Sequence, residues 1–416
     1  MGQPSTQVSG NSGAALPRLR RVLTLWDLIF YGILLIQPIA PVPLFGVAQE
    51  RSRGHIVDTI LIAMLAMMIT AFSYGRMAAV YPAAGSAYTY VGRGLNPHVG
   101  FLAGWVMLLD YLLQPILNAV WVATALNRLL PQLSYTMGVV LFLGAITFMN
   151  LRGVRATARA NQVLLGFMSI VIGAFLVLAI RYLFHLEGWG GLFSTQPFYN
   201  PQTFDFHALR SATSLAALTY IGFDGVTTLA EDVENPKRNV LLATVLVCLF
   251  TGIFGGLEVY LGQRVWPDYK THPNLETAFM DVCQRVGGVV LFHAMAAIMI
   301  LACLGAALTG TLGAARLLFG MGRDNVLPRR VFGYLDPQRN NPTYNILIIG
   351  LLAFGASLVI NYERSAELLN FGAFLAFMGV NLATLRQFYF VGQPGRKRRL
   401  LADMVLPLFG FVFCLW

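Results

Sequence analysis

Of 416 residues, 56% are hydrophobic and 12% charged, with a mean hydropathy of +0.64, whereas an average soluble domain carries about 25% charged residues; a soluble globular domain is excluded. The net charge of +10 raises nucleic acid as a partner, but the basic residues fall mostly in short loops between apolar runs, the pattern of membrane orientation. Without water to satisfy backbone groups in hydrocarbon, and without repeated short alternating strands, the chain reads as an all-α polytopic membrane protein.

Residues 1–21 are polar and rich in Ser and Gly and are expected to form a disordered cytoplasmic tail. The apolar run after Arg21 is too long for a signal peptide and lacks a small-residue cleavage site. Runs of spanning length follow at about Thr24–Ala48, Val57–Val80, Phe101–Leu126, Tyr135–Asn150, Gln162–Phe184 and Leu209–Leu229. Five more lie at about Val240–Leu261, Val289–Met321, Tyr344–Ile360, Ala366–Phe390 and Met404 onward, predicting ten helices and the start of helix 11. The chain ends at Trp416 inside that last run, so a continuation is expected. If the N-terminus is cytoplasmic, twenty of the 29 Lys and Arg fall inside, from Arg18, Arg20 and Arg21 to Arg396, Lys397, Arg398 and Arg399. That bias predicts a multi-pass plasma-membrane protein with a cytoplasmic N-terminus. The four cysteines have no metal-ligand spacing, and Cys248, Cys303 and Cys414 read as small core residues.

Two spans are interrupted. The first holds IQPIAPVP (Ile36 to Pro43), in which Pro38, Pro41 and Pro43 each remove a backbone donor. The sixth holds YIGFDG (Tyr220 to Gly225), where two glycines bracket Phe223 and the intramembrane carboxylate Asp224. Discontinuous helices 1 and 6, five spans apart, predict a 5+5 inverted-repeat transporter fold with a midplane site for a small polar ligand. The expected organisation is a transport core over 22–390, with halves 22–185 and 207–390. A basic loop and the start of peripheral helix 11 occupy 391–416.

Three longer stretches carry a resemblance: Tyr74 to Leu113, with GSAYTY, NPHVGFLAGW and LLDYLL; Tyr220 to Val240, with GFDGVTTLAED; and Ala314 to Pro337, with MGRDNVLPRRVFGYLDP. With LNFGAF further on, the chain resembles the amino acid, polyamine and organocation (APC) superfamily from about Thr24 to its end, most closely the putrescine importer branch. The resemblance implies a ten-helix inverted-repeat core, two peripheral helices and alternating access. It places the substrate at Gln37, Ile39, Ala40 and Pro41 of the first break, Tyr111 and Gln114 of the third span, and Tyr220, Gly222, Phe223 and Asp224 of the sixth. Amino-acid members offer backbone N–H groups of the first break to a substrate carboxylate. Here the prolines cannot donate, which favours recognition through an amine, with only the N–H groups of Ile39, Ala40 and Val42 remaining. Pro43 stands where putrescine importers have an acidic residue, which removes one partner for a diamine.

Asp224 is the candidate to hold an ammonium or to take the driving proton. Asp110 reads as a structural partner of an arginine or a helix end, and Phe223 or Tyr220 as a lid, since Leu218 occupies the place of a gating aromatic. Met168 stands where proton-coupled relatives have lysine. Thr309 and Thr311 are the hydroxyls open to a sodium ion, although such groups usually bond their own backbone. Asp232, Glu234, Lys237, Arg238, Arg323 and Asp324 are candidates for gate salt bridges.

The expected function is secondary active transport of a small amine-bearing solute, an amino acid or a polyamine such as putrescine, by proton symport. A general amino-acid permease or exchanger is the alternative. A non-transporting nutrient receptor is the alternative of a different class. The scattered histidines, without metal spacing or a Ser or Cys partner, argue against an enzyme. No cofactor or metal is expected, H+ is the expected coupling ion, the partners are the small molecule and the lipid bilayer, and sequence leaves oligomeric state open.

Overall fold

The structure, a computed structural model, describes residues 23–82, 86–153, 158–230, 233–323, 325, 327–337, 341–392 and 398–416. The expected tail over 1–21, the gate candidates Asp232 and Asp324, and Arg396 and Lys397 of the basic loop lie outside the described residues.

Thr24 starts α1 (Leu25–Ile36) with a capping box: Asp27 N–H donates to the Thr24 hydroxyl, and Thr24 N–H donates to the Asp27 carboxylate at 2.9 Å. The helix stops one residue before the prolines, at Gln37, whose φ is 70°. The chain resumes as α2 (Phe45–Arg51), so the first crossing is a broken helix as predicted. Next come α3 (Ile56–Val80), α4 (Ser86–Gly94), α5 (Pro97–Leu129), α6 (Tyr135–Leu151), α7 (Ala158–Glu187) and the single turn α8 (Trp189–Leu192).

Asp205 caps α9 (Phe206–Ala216) by accepting from His207 N–H at 2.8 Å. The helix then tightens into two 3₁₀ segments, Ala217–Tyr220 and Phe223–Leu229. Between them Gly222 has φ 117°, a conformation open to glycine and not to an L side chain. The sixth crossing is therefore broken where YIGFDG predicts it.

Beyond lie α10 (Pro236–Val265), α11 (Ala278–Arg323), α12 (Arg329–Phe332), α13 (Thr343–Ser357), α14 (Tyr362–Leu385, continued by a wider turn to Val391) and α15 (Leu406–Leu415). Gly288, with φ 65°, divides α11, so its long arm starts at Val289 where the eighth apolar run was placed.

Among the described residues six helices are long and apolar enough to cross a membrane, and four shorter apolar helices accompany them. This is an all-α, multi-pass membrane protein. Among the described residues the expected spans all occur as helical segments. α7 is the most lipid-exposed long helix, with Val163, Phe167, Ile170 and Val177 uncovered. Hydrocarbon gives helices little reason to associate, so small residues set the contacts. Thus α10 lies on α3, with Gly75 against Leu241 and Gly252 against Met64. Buried amides also tie helices, as where Asn370 donates to the Ser214 carbonyl at 2.7 Å.

Among the described residues several ion pairs lie at the bundle end away from Thr24, hereafter the far end. Arg51 pairs with Glu363 at 3.2 Å and with Glu367, joining α2 to α14. Arg128 of α5 bonds Asp281 of α11 and, at 2.7 Å, the Thr277 hydroxyl. Trp121 Nε1 and Thr124 both donate to Glu276, whose carboxyl burial holds above its ordinary pKa against the Thr124 bond. At the near end Arg76 binds Asp403 and the Ala402 carbonyl beneath the Phe388 ring. Of the expected gate charges there, Glu234, Lys237 and Arg238 form no ion pair among the described residues. Instead the Glu234 N–H donates to the Leu23 carbonyl at 3.0 Å.

Candidate functional site

The two broken helices meet. A Cβ on Gly222 would lie 3.6 Å from the Leu35 carbonyl and from the Ile36 side chain, and Gly225 faces Leu35. Leu35 and Ile36 are the last residues of α1, so the sixth-span break sits against the start of the first.

The first break closes on itself. Ala40 N–H donates to the Gln37 carbonyl and Val42 N–H to the Ile39 carbonyl, both at 3.1 Å. Two of the three donors that sequence offered to a substrate carboxylate are therefore already used, beside three prolines that have none.

Asp224 opens the second 3₁₀ segment, and its carbonyl accepts from the Thr227 hydroxyl at 2.7 Å. The N–H groups of Gly222, Asp224 and Gly225 and the Ser86 hydroxyl surround its carboxylate. Tyr74, Tyr90, Asp110, Tyr111 and Cys248 all lie within its electrostatic reach. Among the described residues no ion pair reaches Asp224 or Asp110. The site is anionic.

Around that carboxylate several polar atoms find no hydrogen bond of good geometry among the described residues: Ser86 Oγ, Tyr74 Oη, Tyr90 Oη and Asp110 Oδ1. Each buried unsatisfied group costs about 1–3 kcal/mol. Four around one carboxylate mark a place where a bound ligand would supply what the fold does not.

The sequence-nominated residues divide into two sets. Gln37, Ala40, Gln114, Gly222 and Asp224 keep part of their surface accessible, and Tyr111 is 37% exposed. Tyr111 and Gln114 flank Gly313 and Gly310 of α11, which brings α11 to the site's edge. Pro41 packs on Gly255 of α10, while Ile39 is buried. Tyr220 is wholly buried and donates from its hydroxyl to the Ile60 carbonyl of α3 at 2.8 Å. Phe223 lies edge-on to Tyr74 at 5.4 Å and against Phe377 at 5.2 Å. Both aromatic lid candidates are thus held in packed positions.

Asp110 differs from the sequence reading, for it lies within electrostatic reach of the Asp224 carboxylate and, among the described residues, no arginine pairs with it. Its intramembrane charge was the signal, and its position one residue before Tyr111 placed it near the cavity. Ser86, Tyr74 and Tyr90 were missed; Ser86 and Tyr90 belong to GSAYTY, a stretch that carried family likeness without a role. Thr309 bonds its own helix at Gly305, and the buried Met168 supplies no charge.

The amino acid permease family model matches residues 44–390. The chain is 32% identical over 373 residues to the low-affinity putrescine importer PlaP of Escherichia coli K12, covering 89% of this chain and 82% of that protein. It is 26% identical to the branched-chain amino acid permease BcaP of Lactococcus lactis, covering 95% and 89%. It is 24% identical to the methylthioribose transporter of Bacillus subtilis, covering 96% and 88%.

Proposed function

The chain belongs to the amino acid permease family, and from that premise we propose that it imports a small diamine of the putrescine kind by proton symport through alternating access. Its membership makes it a transporter of amino acids or polyamines and not an enzyme. The observation that carries the narrower reading is the Asp110 and Asp224 pair, two carboxylates in mutual electrostatic reach without a basic partner among the described residues.

A diamine presents two ammonium groups, and each charge-assisted hydrogen bond to a carboxylate is about twice as strong as a neutral one. Asp110 of α5 takes the place of the acidic residue that Pro43 removes from the first break. Tyr90 and Tyr111 add ring faces and hydroxyls suited to an ammonium. An amino acid would bring its own carboxylate toward two others, while most donors of the first break are absent or engaged. Similarity to a putrescine importer supports the same choice.

In this reading Gln37, Ala40, Gly222 and Gln114 line the substrate path, with Ile39, Pro41, Tyr220 and Phe223 as its packed walls. The two five-helix halves rock about the site, and Asp224, the amine ligand, is also the first candidate for the transported proton. The end carrying Thr24 is cytoplasmic, and the protein resides in the plasma membrane.

The test is uptake of radiolabelled putrescine into proteoliposomes, with and without an inward proton gradient, competed by a panel of amino acids. Saturable uptake that the gradient stimulates and amino acids leave untouched is expected. Uptake of amino acids alone would overturn the diamine reading and leave a general amino-acid permease.

A further inference from the structure

Glu258 lies on α10 with no exposed surface, and neither carboxyl oxygen has a hydrogen-bond partner among the described residues. An ionised carboxylate left unpaired in such a wall carries a desolvation cost of several kcal/mol. An intramembrane ionisable residue is by default functional, and Glu258 is not part of the substrate site.

Its surroundings place it along the transport path. One turn toward the near end, Gly255 touches Pro41 of the first break and Thr219 of the sixth span. One turn toward the far end, Gly262 touches Phe45 of α2 and Phe279 of α11. Cys283, a turn beyond Phe279, lies within electrostatic reach of both Glu258 and Asp281. Glu258 therefore sits between the first break and the layer closed by Arg128 and Asp281.

The other titratable groups nearby are engaged or do not act on it. On its own helix, Tyr260 donates to the Leu192 carbonyl and Arg264 pairs with Glu187 of α7. On α11, Arg285 donates to the Val265 carbonyl and Asp281 is held by Arg128. Arg51 of α2 is paired, and neither Asp58 of α3 nor Arg181 and His185 of α7 bonds or pairs with it among the described residues.

We propose that Glu258 is a proton-carrying group of the transport cycle, loaded when the far end opens and required in its neutral form for that end to close. Opening the layer over Cys283 admits water, in which the ionised form is stable. Closing it strips that water away, and only a carboxyl that has taken up a proton fits the wall it returns to. The proton is bound from water as an O–H on Glu258 and released to water when the bundle next exposes it. The place in the cycle rests on the proton-driven reading above, whereas the proton on Glu258 rests on its own geometry.

The experiment has two arms. In the first, purified transporter in lipid nanodiscs, without substrate, is compared with Glu258→Gln by infrared difference spectroscopy at neutral pH. The expected difference holds a protonated-carboxyl carbonyl stretch lost in the variant; an ionised-carboxylate band instead, or no carboxyl band, overturns the proposal. In the second, proteoliposomes carrying either protein are assayed for gradient-driven putrescine accumulation and for putrescine exchange without a gradient. Glu258→Gln is expected to lose the accumulation and keep the exchange; accumulation that persists overturns the proposal. If the unmodified protein moves no putrescine, the diamine reading fails alone, since the infrared arm still decides the proton.

Discussion

Arg51, the last residue of α2, reaches Glu363 in the first turn of α14 at 3.2 Å and also binds Glu367. One guanidinium thus pins the outer part of the broken first helix to a helix more than three hundred residues away. Arg51→Ala is expected to loosen the far end by about 0.5–1 kcal/mol, the scale of partly exposed pairs. Labelling of the buried Cys283 by a membrane-impermeant maleimide, which should speed up severalfold, checks this.

Removing Arg128 should do more. Its partner Asp281 is 6% exposed and would be left without its guanidinium, at a cost of about 2–3 kcal/mol. Arg128→Ala is therefore expected to lower the melting temperature in detergent, and Asp281→Asn in the same background should recover part of the loss by removing the orphaned charge.

The two carboxylates of the site should separate by substrate. Asp224→Asn is expected to abolish amine uptake. Asp110→Asn should weaken putrescine about tenfold or more, the worth of one charge-assisted contact, while sparing a monoamine of the same length. Competition of labelled putrescine by the two amines measures the difference.

Gly222 and Tyr220 test backbone against contact. Gly222→Ala places a Cβ at φ 117°, a strain of about 1–3 kcal/mol, and should abolish transport even though its contacts with Leu35 and Ile36, at 3.6 Å, are ordinary ones. Tyr220→Phe removes the hydroxyl bond to the Ile60 carbonyl, which stays in the hydrogen-bond ladder of α3, and should cost about 1 kcal/mol with no change in substrate preference. A change in preference would return Tyr220 to the role of lid.

His272, in the far-end loop, bonds the Gln49 side chain at 2.8 Å through Nε2, and burial holds its pKa below the ordinary value against the pull of Asp281 and Asp268. The unfolded chain then binds the proton first as pH falls. The contribution of neutral His272 is complete above the ordinary histidine value of about 6.5 and is lost as pH drops through the lower folded value. Melting temperature should decline over that range, and His272→Gln should flatten the decline.

Both helix breaks were legible because proline and glycine act on the backbone wherever the rest of the chain lies. Pro38, Pro41 and Pro43 end α1, Gly222 supplies the positive φ, and the apolar run opening at Val289 marks the bend at Gly288. Facing directions inside the breaks were not legible. Outside a regular helix no periodicity tells where Pro41 or Tyr220 points, and packing on Gly255 and Ile60 decided it. Nor could sequence bring Asp110 to Asp224, since that meeting depends on how α5 crosses the sixth span.

The bend at Gly288 makes the start of α11 a lever. Its ten residues from Ala278 to Gly287 amount to about 15 Å of helix at 1.5 Å per residue, joined to the long arm through a conformation that other residues resist. A rotation of about 10° at that joint would carry the far tip roughly 3 Å and Asp281, seven residues from the joint, about 2 Å, enough to stretch its bonds to Arg128 beyond hydrogen-bond length. One residue without a side chain thus sets how small an angular change within the bundle can break the seal at its end.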